Sequence, residues 1–458
     1  MGIRRAAGEL LLQANEMTKT LLLFCAALAG ANTLMAQDTT RVDEGVRIGV
    51  DYSPGTRPGL VVGPGIGADS VRAIVRRDLD YTDRFEMITV ADIPQSAGTS
   101  RGSAEAGGGV NYALYKSLGA QFAVEIVPAP NGVTARLHDL SGGRIQSQRA
   151  FGIPETGSAD FRLEAHRLSD EITRWASGSP GGAASRLLFV SGGRVYRVDS
   201  DGHDLTPLTP AGQTALSPAW SPDGQRVAFT QLGEGRGGIV VQTLSRGASF
   251  VVPGSQTALN ITPVFSPDSR TLAFAHSDER GTDIYTANVI ERCCAQRLTV
   301  GRFADNLSPT FSPDGRRIAF ISTRAGPPQL YVMAADGTDQ ELLASFDFGA
   351  TGSTNAPDWS PDGASVVFHR EVSGSPQIFL VDVGARRVRQ LTSSGRNEDP
   401  TWAPDGRHVA FISDRSGRRQ IWIVDVETGR VRQLGTPGSA RLPAWSRRLG
   451  RTTPVPNP

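Results

Sequence analysis

Short stretches of alternating hydrophobic and polar residues dominate the chain after residue 185. Gln-Ile-Phe-Leu-Val-Asp (377–382) and Gln-Ile-Trp-Ile-Val-Asp (420–425) are typical, and such alternation predicts β-strands with one buried face. Between the stretches recur turns of the form Ser-Pro-Asp-Gly, in which proline fixes φ, aspartate can bond its own backbone and glycine accepts the left-handed conformation. The pattern therefore predicts many short strands joined by hairpins.

The turns belong to an internal repeat. A proline three or four residues before each turn recurs every 43 to 48 residues, at positions 218, 263, 309, 357, 400 and 443. An aromatic residue follows this proline by two positions, and in each complete unit a phenylalanine comes nine residues later. Most units close with a further short stretch such as Gln-Leu-Thr (390–392). Four short strands in a repeat of this length predict a β-propeller blade.

The number of strands predicts six blades in a closed ring. Residues 186–209 supply strands two to four of a blade that lacks its first strand, whereas Leu-Pro-Ala-Trp-Ser (442–446) is a first strand with no blade after it. Pairing the two completes the sixth blade and removes an open sheet edge, which would favour aggregation. We therefore predict a mainly β fold in which residues 179–446 form a six-bladed propeller closed by its C-terminal strand, followed by a disordered tail over 447–458.

Residues 37–178 lack the repeat and predict a small α/β domain. Apolar residues at helical spacing indicate helices from Ala68 to Asp80 and from about Ala159 to Ser177. Ser158 is the predicted cap of the second helix and Gly178 its stop. Strands are predicted at 47–51, 59–62, 121–127, 133–139 and 146–152. A Gly/Ser/Pro-rich linker then leads to the propeller.

The N-terminus predicts export. A basic start at Met17-Thr-Lys19 precedes an apolar run over 21–31 and a small residue, Ala36, which is the pattern of a secretory signal peptide. The run is too short to span a bilayer as a helix. We expect a signal peptide over 1–36, with Met17 as a possible true start, cleavage near Ala36 and a periplasmic mature protein that does not span the membrane.

Charge and cysteine content narrow the classes of partner. A formal charge of +1 provides no field that would attract nucleic acid, and none is expected as a partner. Only Cys293 and Cys294 remain after the predicted cleavage. Adjacent cysteines in an oxidising compartment can form a vicinal disulfide, and the pattern around them favours an ordinary loop between two strands. Their redox state stays open.

No catalytic constellation emerges from the sequence. Gly63-Pro-Gly65-Ile-Gly67 lies between a predicted strand and a helix, and Glu86 follows near the distance of a ribose-binding acid, as in a dinucleotide fingerprint. The domain lacks the later parallel repeats of that fold, which favours a structural turn. The six histidines show no metal-ligand spacing and no partnered serine or cysteine nucleophile. We predict no catalytic residue, metal or cofactor.

One polar recurrence suggests a site. Asn260, Asn306 and Asn397 lie three residues before the first proline of their blades, and Asn355 lies two before. Because first strands line the channel of a propeller, these amides are expected to ring one mouth. They could hold a metal, as in a channel-mouth lactonase or a carbohydrate-binding propeller. Alternatively, each asparagine caps the incoming turn of its blade, with partner contacts added to that role, and this interpretation is favoured.

The segments Val46-Arg47-Ile48, Arg57 to Val62 and His166-Arg-Leu-Ser-Asp170-Glu-Ile172 precede these blades. In this combination the sequence resembles the TolB family of periplasmic Tol–Pal proteins over nearly the whole mature chain. The resemblance implies a non-enzymatic, monomeric adaptor that supports outer-membrane integrity and constriction at division. It also implies binding of a Pal-like peptidoglycan-associated lipoprotein at the channel mouth and of a TolA-like inner-membrane protein by the N-terminal segment.

Site residues follow from this resemblance by position. The Pal-facing candidates are the predicted loop residues before the first strands: Leu259, Asn260, Asn306, Leu307, Asn355, Asn397 and Glu398. The TolA-facing candidates lie in the extended segment from Asp43 to Asp51, near the start of the mature chain: Asp43, Glu44, Val46, Arg47, Ile48 and Asp51. Leu259 and Leu307 are apolar where more polar residues are expected, so a rewired contact with Pal and the presence of a TolA homologue stay open.

Overall fold

A small α/β domain and a ring of β-sheets make up the part of the chain that the structure, a computed structural model, describes. The described residues are 57–65, 67–90, 110–233, 236–254, 258–301, 304–345 and 352–450, all within one unit, Tyr52–Pro458. The predicted signal peptide and the segment from Asp43 to Asp51 lie outside them and stay predictions. Within the described residues, no helix has the length and apolar character needed to cross a membrane.

The α/β domain contains five strands and three helices among its described residues. They are β1 (Gly59–Val62), α1 (Asp69–Tyr81), β2 (Glu86–Met87), α2 (Tyr112–Ser117), β3 (Ala120–Ala129), β4 (Gly132–Asp139), β5 (Arg144–Gly152) and α3 (Phe161–Ser177). The sheet order is β2-β1-β3-β4-β5, with β1 parallel to both neighbours and the other pairs antiparallel. Val75 of α1 and Leu168 and Ile172 of α3 are fully buried against this sheet, which explains the helical spacing of these residues.

Two local predictions for this domain need comment. Ser158 does not cap α3 with its side chain, because its backbone carbonyl accepts the Phe161 N–H instead and Asp160 holds the cap position. Gly178 does end the helix, with a φ of 80° that favours glycine. The glycine turn after β1 is filled from inside by the Arg72 guanidinium, which donates to the Gly65 carbonyl. Because β4 and β5 pair in antiparallel fashion, the domain lacks the later parallel strands of a dinucleotide-binding fold, and the turn is structural.

The remaining strands form the propeller. They are β6 (Arg186–Ser191), β7 (Arg194–Asp199), β8 (Thr206–Pro207), β9 (Thr214–Trp220), β10 (Arg226–Gly233), β11 (Arg236–Thr243), β12 (Ser249–Val251), β13 (Leu259–Phe265), β14 (Thr271–Asp278), β15 (Gly281–Asn288) and β16 (Cys293–Arg297). There follow β17 (Asn306–Phe311), β18 (Arg317–Ser322), β19 (Gln329–Ala334), β20 (Glu341–Ala344), β21 (Thr354–Trp359), β22 (Ser365–Val372), β23 (Ser375–Asp382), β24 (Val388–Gln390), β25 (Asn397–Trp402), β26 (His408–Ser413), β27 (Gln420–Asp425), β28 (Val431–Leu434) and β29 (Arg441–Trp445).

These strands confirm the predicted six blades. Blade one is β29-β6-β7-β8, and blades two to six take four consecutive strands each, from β9–β12 to β25–β28. The C-terminal strand β29 pairs with β6 in antiparallel register, with Ala444 opposite Leu188, so the ring closes as the orphan strand predicted. The recurrent turns also form as expected: the Asp314 side chain accepts the Arg316 N–H, and Gly315 has a φ of 72°.

The regularly spaced aromatic residues form the core between blades. Phe189, Phe274, Phe320, Phe368 and Phe411 are all at most 1% exposed. Trp359 on the first strand of blade five lies in one cluster with Leu330 and Ile321 of blade four. Each blade therefore buries its apolar face against its neighbour, and the ring is held together mainly by this burial.

Each first strand contains a left-handed residue that the sequence did not predict. The residue directly before the proline has a φ between 47° and 53° in all six blades: Ser217, Thr262, Ser308, Ala356, Asp399 and Leu442. A residue before proline normally prefers an extended backbone. The pairing of first and second strands shifts at or next to this point in every blade, as in a β-bulge.

Two boundary predictions differ from the structure. Cys293 and Cys294 do not lie in a loop; they begin β16, the outer strand of blade three, and are joined by a disulfide. Residues 447–450, predicted as the start of a disordered tail, are bonded to the linker and to α3. The Leu449 N–H donates to the Ala184 carbonyl, and Arg167 Nε donates to the Leu449 carbonyl at 3.1 Å.

Candidate functional site

The channel of the propeller has two mouths with different surroundings. At the mouth where first strands end, which we call the proximal mouth, the α/β domain contacts the ring. Arg407 Nη2 donates to the Asp83 carbonyl at 3.3 Å, and Arg77 pairs with Asp201. We call the other mouth, where first strands begin, the distal mouth. The described contacts between the two domains lie at the proximal side, so the distal mouth is the candidate surface for a partner.

Three of the four predicted asparagines are buried at the distal mouth. Asn260, Asn306 and Asn397 each have 0% exposure. Asn397 Nδ2 donates to Gln377 Oε1 at 2.7 Å and to the Ser394 carbonyl at 3.1 Å, and Asn397 Oδ1 accepts from an arginine. These bonds join the start of a first strand to the preceding blade. The amides therefore hold the ring together and cannot meet a partner directly, which corrects their placement as Pal-facing side chains.

The asparagines of blades three and four are tied to the preceding blade by hydrogen bonds in the same way, but with different partners. Asn306 Nδ2 donates to Asp283 Oδ1 of the preceding blade at 3.0 Å. Asn260 Nδ2 donates to the Gly237 carbonyl of the preceding blade at 3.0 Å, and its Oδ1 lies 2.8 Å from His276 Nδ1. Burial lowers the pKa of His276. The interpretation of these asparagines as structural caps is thus the one that the geometry supports.

Asn355 differs from the other three because it occupies a different position in the repeat. It is partly exposed, and its Nδ2 lies 3.4 Å from Ser353 Oγ. Thr354, three residues before the proline and fully buried, takes the place that asparagine has elsewhere, and accepts from Arg370 Nε at 3.2 Å. Spacing alone distinguishes the two cases, since only the three-residue offset leads to the buried position.

Arginine side chains that sequence reasoning missed complete these ties. Arg324 Nη2 donates to Asn306 Oδ1 at 3.0 Å, and Arg415 Nη2 donates to Asn397 Oδ1 at 2.9 Å. Each guanidinium lies over the ring of a third-strand aromatic residue, 4.8 Å from Tyr331 and 5.0 Å from Trp422, at cation–π distance. The available signal was an arginine four residues after the blade's phenylalanine.

Apolar side chains at the distal mouth are accessible. Leu259 is 38% exposed, Val300 74% and Val372 39%, and we call these three residues the apolar rim. Leu307 is partly buried in the core between blades three and four. Glu398 is partly exposed and paired with Arg396 and Arg419, each at 3.2 Å. An apolar rim beside paired charges has the character of a surface that binds another protein.

Groups that could share a metal ion lie elsewhere. Among the described residues, three sets of histidine, cysteine and acidic side chains are close enough: Glu291 with Cys293 and Cys294, Asp78 with His166 and Asp201, and Asp83 with His408 and Asp425. The first contains the disulfide, and arginines pair with the acids of the other two. At the mouth, His369 Nδ1 accepts the Asp399 N–H at 3.1 Å, which is consistent with the lowered pKa that burial gives this histidine. The distal mouth thus lacks, in the described residues, a ligand set for the metal-dependent alternative.

Comparison with known proteins identifies the propeller. The model of the TolB beta propeller domain matches residues 178–347 and 338–452, which is more than half of the chain. The chain belongs to the TolB propeller family. This confirms the resemblance inferred from the Ser-Pro-Asp-Gly repeats and the preceding domain.

Individual TolB proteins show how far the similarity extends. The Tol-Pal system protein TolB of Escherichia fergusonii is 31% identical over 250 residues, or 52% of this chain and 54% of that protein. TolB of Shigella dysenteriae is 30% identical over 232 residues, 48% of this chain and 51% of that one. The chain therefore spans about half the length of these curated relatives. The crystal structure of TolB from Acinetobacter baumannii matches with a TM-score of 0.73 and 22% identity, covers 87% of this chain and 98% of that one, and supports the fold.

Proposed function

We propose that this protein is a periplasmic adaptor of a Tol–Pal envelope system, which binds a Pal-like outer-membrane lipoprotein at its distal mouth. Membership in the TolB family and the names of its relatives, Tol-Pal system proteins, support this assignment. The observation that carries the surface is the apolar rim. Exposed Leu259 and Val300 lie at the end of the ring away from the α/β domain, where a protein partner has access.

The distal mouth suits an adaptor because its framework is fixed before binding. The ties of Asn306 and Asn397 to preceding blades hold the first strands in place, so little order has to be gained when a partner docks. Leu259, Leu307, Asn355 and Glu398 are the predicted contact residues with accessible side chains. In this proposal Asn260, Asn306 and Asn397 act indirectly, by positioning that surface.

The N-terminal segment from Asp43 to Asp51 is proposed to bind a TolA-like inner-membrane protein. This part of the proposal rests on the family resemblance alone, since the segment lies outside the described residues. Two separate partners on one chain would connect the inner membrane to the outer membrane, consistent with a role in envelope integrity and constriction at division. Neither role requires an enzymatic step.

A binding measurement tests the proposal. Full-length mature protein should capture a Pal-like lipoprotein from envelope extracts, and the affinity is then measured with the purified periplasmic domain of that lipoprotein. The double variant Leu259→Asp/Val300→Asp should weaken binding about 30-fold or more, because charges would replace the apolar centre of the contact. Ile290→Asp is the matched control: this residue is 50% exposed but lies in the turn between β15 and β16, at the proximal end of the ring.

Each part of the proposal has a result that would refute it. Equal affinity of the rim variant and wild type would refute the distal mouth as the binding surface, and no capture of a Pal-like lipoprotein would refute the adaptor function. Deletion of residues 43–51 should abolish capture of a TolA-like protein while the Pal-like contact persists. Loss of both contacts in that deletion would contradict separate surfaces.

A further inference from the structure

Two buried histidines lie at the contact between the α/β domain and the propeller, which we call the seam. His166 belongs to α3 of the α/β domain and is 1% exposed, whereas His408 begins β26 of blade six and is 4% exposed. Each comes from the opposite side of the seam. Neither has a part in the adaptor surface at the distal mouth.

His166 faces carboxylates on both of its ring nitrogens. Nδ1 lies 2.8 Å from Asp78 Oδ2 in its own domain, and the Ser169 hydroxyl donates to the same oxygen at 2.6 Å. Nε2 lies 3.6 Å from Asp201 Oδ2 and 4.0 Å from Asp199 Oδ2, both in blade one of the propeller. The imidazole therefore lies between a carboxylate of its own domain and two carboxylates of the other.

His408 also lies between carboxylates of both domains, with a closer contact across the seam than that of His166. Nδ1 lies 2.6 Å from Asp405 Oδ2 in the adjacent turn, and Nε2 lies 3.3 Å from Asp83 Oδ2 in the α/β domain. Asp83 follows α1, the helix that also supplies Asp78. The two histidines thus form two bridges between the domains, both anchored near the C-terminal end of α1.

The protonation state of these bridges follows from elementary chemistry. A neutral imidazole carries one N–H, and its other nitrogen is an acceptor, whereas an ionised carboxylate only accepts. A histidine between two carboxylates can satisfy both only when both nitrogens carry protons. We propose that His166 and His408 are imidazolium bridges that fasten the α/β domain to the propeller, and that loss of their protons at alkaline pH loosens the seam.

The other charges at the seam do not replace this function. Around His166, Arg77 and Arg162 pair with Asp201, and Arg186 pairs with Asp199. Around His408, Arg407 pairs with Asp425, Arg430 and Arg57 pair with Asp83, and Arg432 approaches without an ion pair among the described contacts. The described ion pairs of Asp405, a carboxylate that is only 6% exposed, are with His408 alone. Deprotonation of His408 would leave that buried carboxylate without an ion-pair partner among the described residues, with Arg432 as the positive charge that still acts on it, and this is costly.

The electrostatics agree with the geometry. Burial by itself lowers the pKa of His408, but Asp405 and Asp83 outweigh burial and raise this pKa to about 9. Burial likewise opposes the charge on His166, and Asp78, Asp201 and Asp199 raise its pKa above the usual value. A raised pKa in the folded state means that the stabilisation is complete below about pH 6.5 and is lost as the pH rises through about 9.

Nuclear magnetic resonance of the full mature chain labelled with ¹³C-histidine would measure both titrations directly. The His408 signal should remain protonated near pH 8, the His166 signal should titrate above the usual range of a histidine, and each signal should vanish in its own glutamine variant. Hydrogen exchange of residues 78–83, corrected for the intrinsic pH effect, should become up to about 100-fold faster between pH 6.5 and 9.5, the part of a 2.5-unit pKa difference that falls in this range. His276→Gln, a propeller histidine away from the seam, is the control and should keep this response.

The result that overturns the proposal is equally specific. If the His408 signal titrates near pH 6.5, or if seam exchange keeps its full pH response in His408→Gln, the imidazolium bridge does not exist. Should either glutamine variant fail to fold, Asp83→Asn provides a second test. It removes one carboxylate from His408 Nε2 and should lower the midpoint of that titration by at least half a pH unit; an unchanged midpoint would count against the bridge.

Discussion

Asn397 and Asn355 provide an internal test of whether the distal mouth is held by its asparagines. Replacing Asn397 by alanine removes the bond to Gln377 Oε1 at 2.7 Å and leaves Arg415 Nη2 without the acceptor it now has at 2.9 Å. A neutral hydrogen bond contributes about 1 kcal/mol and one to a charged donor about 1.5–3 kcal/mol. The expected loss in the free energy of unfolding is therefore about 3 kcal/mol. Asn355→Ala removes only a contact at 3.4 Å from a partly exposed residue and should cost at most about 0.5 kcal/mol.

Differential scanning calorimetry of both variants, with partner affinity measured well below the transition, separates the two roles. For a domain of this size the Asn397 variant should melt roughly 5–10 °C below wild type, and the Asn355 variant within about 2 °C of it. Folded Asn397→Ala should retain most of its affinity for a Pal-like partner. A wild-type melting temperature combined with lost binding would refute the reasoning, because Asn397 would then be a direct contact.

Two further predictions concern the channel and the outer rim of the ring. Asp358 lines the channel, where Trp402 N–H and Thr401 Oγ1 donate to its carboxylate. Burial nevertheless raises its pKa to about 6. The free energy of unfolding should therefore fall as the pH rises from about 4 to 6, by at most about 3 kcal/mol. Asp358→Asn keeps the same shape and should flatten that part of the pH–stability curve; an unchanged curve would contradict the assignment. For Cys293 and Cys294, an alkylating reagent should label both only after reduction, as mass spectrometry would show. Reduction should change stability by less than about 1 kcal/mol, since no residue separates the two; labelling without reductant would show that the bond is absent.

Sequence reasoning recovered the features that depend on periodicity. The repeated prolines, turns and phenylalanines predicted six blades and their closure by 442–446, because each blade must bury the same face against its neighbour. It did not recover the left-handed residue before each proline, since local preference favours an extended backbone there and the ring overrides it. It also placed the vicinal cysteines in a loop, because β16 is an exposed outer strand whose residues carry little apolar alternation.

At the candidate site too, the repeat pattern predicted which positions matter but not how their side chains are placed. The recurrent asparagines lie at the distal mouth, but recurrence could not show which amides are buried, because burial depends on an offset of one residue between Asn355 and Thr354. The stacked arginines were missed for a related reason. Arg324 and Arg415 follow their phenylalanines by four residues and lie in the turn after the second strand, whereas Arg370 follows Phe368 by two and lies within the longer second strand of blade five.

The arginine-assisted hydrogen bonds and the residues Leu259 and Val300 of the apolar rim lie at different blades of the distal mouth. Guanidinium groups lie over aromatic rings in blades four, five and six, where Arg324, Arg370 and Arg415 lock the starts of the first strands. Leu259 and Val300 instead lie at blade three, whose tie involves His276 and a backbone carbonyl. Because charged and stacked ties resist displacement more than neutral ones, blades four to six provide the fixed side of the ring. A partner that docks on Leu259 and Val300 therefore meets the side of the rim where small adjustments of the first strand cost least, whereas Val372, the third rim residue, ends β22 on the fixed side.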